Sequence, residues 1–464
     1  MSEAGAKNIT TDDLDGPILR PVLRFGLPLA VGMACHGLFN CVDLVIVARL
    51  GSGAIAAVTV AGIVNMAAML LFNGIANALG AHLAQAAGRK DEAEFAALRS
   101  AGSRLFWGFS IVLGLGFYFP ADFLVGLFGA DDATRADARV YLEIMSLGSP
   151  TMFFMMSGAA HLRGLANAAW PTAALVIANV LNLLLNFLLV FGWLGFPALG
   201  VAGSAWATVL ARAVGCGILI VGIRRIGGHR ALAAAPPKVL ARRTWELGRE
   251  GLLMSAQLLV RVIGMYVLLT VATHPGGKAL EPAASRDLLD GVGVCIRLET
   301  IVAFFALGYG TAAATLVGRS IGAGRSDRAV TVAWCAALVA ASIGAVLGGL
   351  LWIGRAVVLP LAAPELTTRA AGYAEVYLAW TSPAYFFMTA AIVLSQALNG
   401  ARRVLGPLAL ETAIFGVGVY VLARALACTK WGEAGAFAAV AVSQTIGAAG
   451  YALMARGIRS ARPG

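Results

Sequence analysis

The chain has 464 residues, of which 59% are hydrophobic and only 13% are charged, about half the charged fraction of an ordinary soluble domain. This composition excludes a soluble globular protein, and the long apolar runs exclude a β-barrel, whose strands alternate over about ten residues. The net charge of +11 is spread over short loops between apolar runs, which argues against a nucleic-acid partner.

The apolar runs predict an all-α membrane protein with twelve transmembrane helices. The predicted helices are 19–49, 55–87, 100–129, 134–164, 170–194, 198–224, 246–273, 289–320, 327–358, 367–400, 404–427 and 433–457. Basic and acidic residues dominate alternate loops. Because cytoplasmic loops carry the excess of Lys and Arg, we expect both termini to be cytoplasmic.

The chain is predicted to consist of two similar halves joined by a basic, proline-containing linker. The predicted segments are an N-terminal tail at 1–18, an N-lobe at 19–224, the linker at 225–245, a C-lobe at 246–457 and a C-terminal tail at 458–464. GAHLAQAAGRKDEA in the first half resembles AATLVGRSIGAGRSD in the second, and Gly164 matches Gly400. Each half has six helices, so the two are parallel repeats, an arrangement typical of transporters with a site between the halves.

The first predicted helix carries three polar residues on one face. His36, Asn40 and Asp43 are spaced four and three residues apart in an otherwise apolar stretch. A carboxylate at the centre of a membrane helix costs about 2.5–3.5 kcal/mol on insertion scales and marks a functional site by default. His36 and Asn40 are candidates for a proton relay to Asp43, although packing alone is the simpler explanation of His36.

Three asparagines occupy one face of the fifth predicted helix. Asn179, Asn182 and Asn186 follow one another at spacings of three and four residues. Alone, they could form an interhelical clamp worth about 0.6 kcal/mol per contact in membranes. Opposite Asp43, their carbonyl groups could bind Na+ or hold a protonated carboxylic acid, and this combination favours an ion site.

Several stretches together resemble the multidrug and toxin extrusion (MATE) transporter family. They are GLPLAVGMACHGLFNCVDLVIVARLG, NVLNLLLNFLLVFGW, GVAGSAWATVLAR, ALGYGTAAATLVGRSIGAG and SPAYFFMTAAIVLSQALNGA. Their order and spacing along nearly the whole chain are also similar. The resemblance implies a V-shaped pair of six-helix lobes that exports amphipathic, often cationic compounds in exchange for H+ or Na+.

The resemblance to the branch of DNA-damage-inducible-like transporters implies an ion site in the N-lobe. On this sequence the site residues would be Asp43, Asn182 and Ser204. Asn186 stands where that branch has a second aspartate. A single carboxylate among amides binds Na+ weakly, since hard cations prefer charged oxygens, so we expect H+ rather than Na+ as the coupling ion.

The sibling branch, which couples through the C-lobe, has acids where this chain has Arg261 and, approximately, Met388. We therefore expect the C-lobe route to be closed. Arg261 and Glu299 could form a buried structural ion pair, or Arg261 could attract an anionic substrate; Glu411 is a candidate contact for a cation. Further candidates for an adaptable apolar substrate cavity, which ordinary packing would explain equally well, are Met33, Met66, Met69, Phe39 and Phe154.

These features predict a monomeric secondary antiporter of a bacterial inner membrane that exports small amphipathic compounds by alternating access. It would be neither an enzyme nor dependent on a cofactor beyond H+ or Na+, and the sequence has no P-loop for an ATP-driven pump. Three alternatives are a Na+-coupled antiporter, a lipid-linked-precursor flippase with a cationic cavity at Arg261 and Arg297, and a non-transporting receptor or scaffold.

Overall fold

A computed structural model describes residues 16–128, 131–226, 236–429 and 431–460, and of residues 38–45, 48, 52 and 67 it describes the backbone only. These residues are almost entirely helical. The helices are α1 (Leu19–Ala48), α2 (Ser52–Arg89), α3 (Glu92–Tyr118), α4 (Ala121–Gly126), α5 (Asp132–Leu147), α6 (Ser149–Gly164), α7 (Ala169–Phe191), α8 (Gly200–Ile226), α9 (Pro237–Thr273), α10 (Pro282–Gly322), α11 (Ser326–Ala362), α12 (Thr368–Thr381), α13 (Tyr385–Gly400), α14 (Leu405–Glu411), α15 (Val419–Ala427) and α16 (Gly432–Arg456).

Short breaks divide some of the twelve predicted helices, so the described residues form the sixteen α-helices named above. The fourth breaks at Gly148 before Pro150, and the tenth at the 3-10 turn Ser382–Ala384. In the eleventh, a π-helix at Thr412–Gly418 joins α14 to α15. Within the described ranges, nine helical runs are long and apolar enough to cross a membrane. The prediction of an all-α membrane protein with twelve helical segments is confirmed.

Several helices begin earlier than predicted. α9 starts at Pro237, so residues 237–245 of the predicted linker are helical. α10 likewise starts at Pro282 and α3 at Glu92. Proline is well suited to a first helical turn, and charged residues tolerate a helix end beyond the apolar core, so apolar runs underestimate these helices. The rest of the linker, the N-terminal tail to residue 15 and residues 461–464 lie outside the described residues.

Packing divides the chain into two compact units, one containing 31–255 and the other containing 16–30 and 256–460. The start of α1 therefore belongs with the second half and the start of α9 with the first. Within the second unit, Ala30 lies against the backbone at Gly308. Within the first unit, Ser255 Oγ donates a hydrogen bond to the carbonyl of Leu71 at 2.6 Å.

Each unit has its own apolar core. In the first, Phe72 of α2 contacts Phe153 of α6 with ring centroids 3.5 Å apart, and both rings are almost fully buried. In the second, Tyr377 of α12 packs edge-on against Phe437 of α16, again with both side chains fully buried. These cores hold the polar groups described below inside the units.

The two matched glycines, Gly164 and Gly400, make the same kind of contact within their units. Gly164, at the end of α6, packs on Leu83 of α2. Gly400, at the end of α13, packs on the backbone of Ala314 of α10. In each case a Cβ on the glycine would overlap the neighbouring helix, so glycine is required for the close approach. The repeat seen in the sequence is thus present in the packing.

We expect Gly400→Ala to lower the free energy of unfolding by about 1–3 kcal/mol, because the added methyl meets backbone that cannot move aside. Thermal unfolding in detergent would measure this. Gly349→Ala is the matched control, since nothing lies near its Cβ position in α11 and alanine is the better helix former by about 1 kcal/mol. Equal stability of the two variants would contradict the close-packing argument.

Candidate functional site

A buried polar cluster joins α1, α7 and α8 in the first unit. His36 Nδ1 lies 3.3 Å from Asn179 Oδ1. One turn along α7, Asn186 Nδ2 donates to Asn182 Oδ1 at 3.4 Å, and Asn182 Nδ2 donates to Thr208 Oγ1 at 3.2 Å. Asn186 is completely buried. The three predicted asparagines therefore share one interior face of α7, as their spacing indicated.

The cluster extends to α8 through the hydroxyl of Thr208, which accepts a hydrogen bond from Asn182. Thr208 Oγ1 donates to the carbonyl of Ser204 at 3.1 Å, and the Ser204 side chain is buried. Asn179 Nδ2 is buried and makes no hydrogen bond to any described residue. A buried amide donor without a partner is costly, which makes this end of the cluster a place where a further acceptor would be stabilising.

Of the predicted first-helix residues, the described side chains include His36 but not Asp43, Asn40 or Phe39. The backbone of all four is helical within α1. Because His36 contacts Asn179, the face of α1 that carries His36 is turned toward α7 at this position.

A second polar network lies inside the second unit. Arg261 of α9 forms an ion pair with Glu411 of α14, whose side chain is 2% exposed. Tyr451 donates to Glu411 Oε1 at 2.7 Å, whereas Glu411 Oε2 is buried without a hydrogen-bond partner among the described residues. The guanidinium carbon of Arg261 also lies 5.1 Å from the centroid of the Phe415 ring, within cation–π distance.

The ion pair between Arg261 and Glu299, one of the two alternatives considered for Arg261, is not formed in the structure. Glu299 of α10 instead accepts hydrogen bonds from Tyr377 at 2.9 Å and from Gln444 Nε2 at 3.3 Å. Arg261 is bound instead by Glu411, the last residue of α14, immediately before the π-helix. The candidate cation contact at Glu411 is accordingly occupied by a cation of the protein itself.

A cavity of about 220 Å³ opens beside this network, entirely within the second unit. Its wall is mostly apolar, with Arg261, Glu299 and Gln444 as its principal polar side chains. Arg297 is exposed and does not line the cavity. The structure thus places a guanidinium and a carboxyl group in one apolar cavity.

The apolar substrate residues predicted from the sequence lie outside the second-unit cavity wherever their side chains are described. Met33 and Met69 are half-buried, Met66 is 39% exposed, and none of the three lines the second-unit cavity. Phe154 lines a separate cavity of about 50 Å³ between α3 and α6. A role for these side chains in binding a substrate stays a prediction.

Sequence reasoning missed the residues that hold the second network. Tyr377 and Tyr451 were not singled out in the sequence, although the hydroxyl of a buried tyrosine needs a hydrogen-bond partner. Gln444 was the available signal, because a lone amide within the apolar run of α16 requires a polar partner. A search for such isolated amides would also have found the buried pair Gln257 and Asn399, whose side chains exchange two hydrogen bonds.

Comparison with known proteins gives consistent matches. A family model described as MatE matches residues 28–188 and 283–423. The chain is 25% identical over 413 residues to the "Probable multidrug resistance protein YpnP" of Bacillus subtilis, with 88% of each chain covered. It is 29% identical over 214 residues to the "Probable multidrug resistance protein NorM" of Thermotoga maritima, covering 46% of this chain and 44% of that relative.

The fold is also similar to solved structures. An outward-facing multidrug resistance MATE family transporter of the MOP superfamily superposes with a TM-score of 0.87 at 20% identity, covering 97% of both chains. At that identity the superposition shows a shared fold.

Proposed function

Because the chain belongs to the MATE family of multi-pass membrane transporters and is not an enzyme, we propose that it is a secondary antiporter that exports amphipathic organic compounds in exchange for protons. It would work by alternating access in a bacterial inner membrane, as a monomer with both termini in the cytoplasm. The observation that carries the proposal is the buried amide cluster on α7, which His36 of α1 contacts.

Asp43 is the proposed proton carrier. It lies seven residues after His36, so the two share one face of α1. His36 contacts Asn179, and the next turns of α7 place Asn182 and Asn186 further along the same interior face. Nδ2 of Asn179, which is buried and makes no hydrogen bond to a described residue, leaves room for a further acceptor at the His36 end of the cluster.

The composition of the cluster favours H+ over Na+ as the coupling ion. Its described members are the amides, the hydroxyls of Thr208 and Ser204, and a histidine, so Asp43 would be the single carboxylate. Amides suit both a carboxylate and a neutral carboxylic acid, because they donate and accept hydrogen bonds. A dehydrated Na+ would be better held by several charged oxygens.

The driving force for such an exchange is adequate. A pH difference of one unit supplies about 1.4 kcal/mol per proton, and a potential of about 100 mV adds about 2.3 kcal/mol for each net charge moved. Exchange of one proton for one monovalent cation moves no net charge and uses only the pH difference. Exchange for a neutral or zwitterionic compound uses both.

The proposal is tested with everted membrane vesicles, across whose membrane either a proton gradient or a sodium gradient is imposed. We expect uptake of a fluorescent organic cation with the proton gradient, its collapse when a protonophore dissipates the gradient, and no uptake with sodium alone. Uptake driven only by sodium would support the Na+-coupled alternative, and no gradient-driven uptake by either ion would contradict antiport.

Asn186→Asp should make transport responsive to sodium. The substitution would add a second carboxylate to a completely buried position in the cluster. One additional charged ligand is expected to raise sodium affinity about tenfold, equivalent to about 1.4 kcal/mol. The measurement is sodium dependence of vesicle uptake, with Asn77→Asp, in α2 and outside the cluster, as the control. An unchanged response to sodium would argue against an ion site at this cluster.

The second network does not favour a flippase. Arg261 is ion-paired with Glu411 and shares the cavity with Glu299, and Arg297 is exposed outside the cavity, so the described residues do not form the strongly cationic cavity that such an activity needs.

A further inference from the structure

The second-unit cavity presents opposite charges that do not neutralise each other. Arg261 and Glu299 both line it, but no ion pair joins them, and each has separate partners among the described side chains. A cavity wall usually carries a few polar groups that fix the orientation of a ligand. Here those groups are one guanidinium and one carboxyl.

The guanidinium of Arg261 has donors left for a ligand. It carries five N–H donors, and its hydrogen bond to Glu411 is made through Nη2. The ion pair with the buried Glu411 and the Phe415 ring, whose centroid lies 5.1 Å from the guanidinium carbon, both hold the group in place. With the side chain 31% exposed, the remaining donors are available to a carboxylate in the cavity.

Glu299 similarly has acceptor capacity left. Tyr377 and Gln444 donate one hydrogen bond to each of its two oxygens. A carboxylate offers about four acceptor positions, so an ammonium group can be added without displacing either partner. These two fixed donors also hold the carboxyl in one orientation.

The remaining wall suits a compact apolar body. Met265, Leu268, Ile392 and Phe415 line the space between these groups, whose volume is about 220 Å³. This is large enough for one ring system with short substituents. Methionine and aromatic side chains adapt to rings of different shape.

We propose that this cavity binds a zwitterionic amphipath, with its ammonium group on Glu299, its carboxylate on Arg261 and its ring on the apolar wall. This assignment rests on the proposed export function and names a substrate class for it. A plain cation would leave Arg261 without a ligand group and a plain anion would leave Glu299 without one, so each would make one charged contact where a zwitterion makes two. A zwitterion pairs with both, and its export against one proton would also use the membrane potential.

The test is equilibrium binding of three indole compounds to the purified full chain in detergent, without any ion gradient. Tryptophan is the zwitterion, tryptamine the matching cation and indole-3-propionate the matching anion. We expect tryptophan to bind about tenfold more tightly than either of the others, one charged contact being lost in each. Equal or tighter binding of tryptamine would overturn the proposal.

Two variants assign the contacts. The double variant Arg261→Gln with Glu411→Gln strands no buried charge and should reduce tryptophan binding to that of tryptamine. Glu299→Gln should weaken tryptophan and tryptamine but not indole-3-propionate. If either folded variant kept the wild-type order of affinities for the three compounds, the assignment would be overturned. If a variant does not fold, the affinities of the wild-type protein decide. If the wild-type protein showed the expected affinities but no proton-driven uptake in vesicles, only the proposed coupling would be overturned.

Discussion

Replacing Arg261 with methionine is expected to lower the free energy of unfolding by about 3–5 kcal/mol, the range found when one member of a buried ion pair is removed. The substitution would strand Glu411, whose side chain is 2% exposed and whose Oε2 already has no partner among the described residues. Tyr451 would remain as the donor to Oε1, which is insufficient for a buried charge. Thermal or denaturant unfolding of the purified protein in detergent measures the loss.

Removing the other member of the ion pair should lower the free energy of unfolding by less. In Glu411→Leu the stranded group is Arg261, which is 31% exposed and opens on a cavity that also contains Glu299. The double variant Arg261→Met with Glu411→Leu should recover most of the stability, since an ion pair replaced by apolar residues is often neutral or better. A double variant no more stable than Arg261→Met alone would contradict a pairwise interaction between these residues.

The helices were predictable because apolar length dominates the sequence of a membrane protein. Their ends were less so, since the charged first turns of α9 after Pro237 carry no apolar signal. The assignment of those turns to the first unit depends on contacts such as that of Ser255 with Leu71, which join residues far apart in the chain. No local pattern contains that information.

The first polar cluster was predictable for a related reason. Asn179, Asn182 and Asn186 follow helical periodicity, so their shared face is a local property of α7. Which partners they meet on α8 is not local, and Thr208 was accordingly missed.

The second network was not predictable from comparing single positions with the related family. The absence of acids at Arg261 and Met388 led to the expectation that the C-lobe route is closed, and that expectation stays a prediction. The structure adds two carboxyl groups to this region from other helices, Glu299 on α10 and Glu411 on α14. Their position beside Arg261 depends on how α9, α10 and α14 pack together, which no local sequence pattern contains.

Asp43→Asn is expected to abolish substrate-driven proton release from everted vesicles. Asparagine matches aspartate in size and can hydrogen-bond with the amides of α7, but it cannot bind and release a proton in the accessible pH range. Binding of substrate in detergent does not require that step and would separate a coupling defect from misfolding. The measurement is proton release on substrate addition, recorded with a pH-sensitive dye.

Asp137→Asn is the matched control, because it removes an exposed carboxylate of α5 in the same unit. It should leave proton release at the wild-type rate. Normal proton release by Asp43→Asn would contradict the assignment of the carrier. Since Asn186 then offers no charge, the half-buried Glu299 and the buried Glu411 of the second unit would become the groups able to take up a proton. The outcome therefore decides which of the two units contains the coupling site.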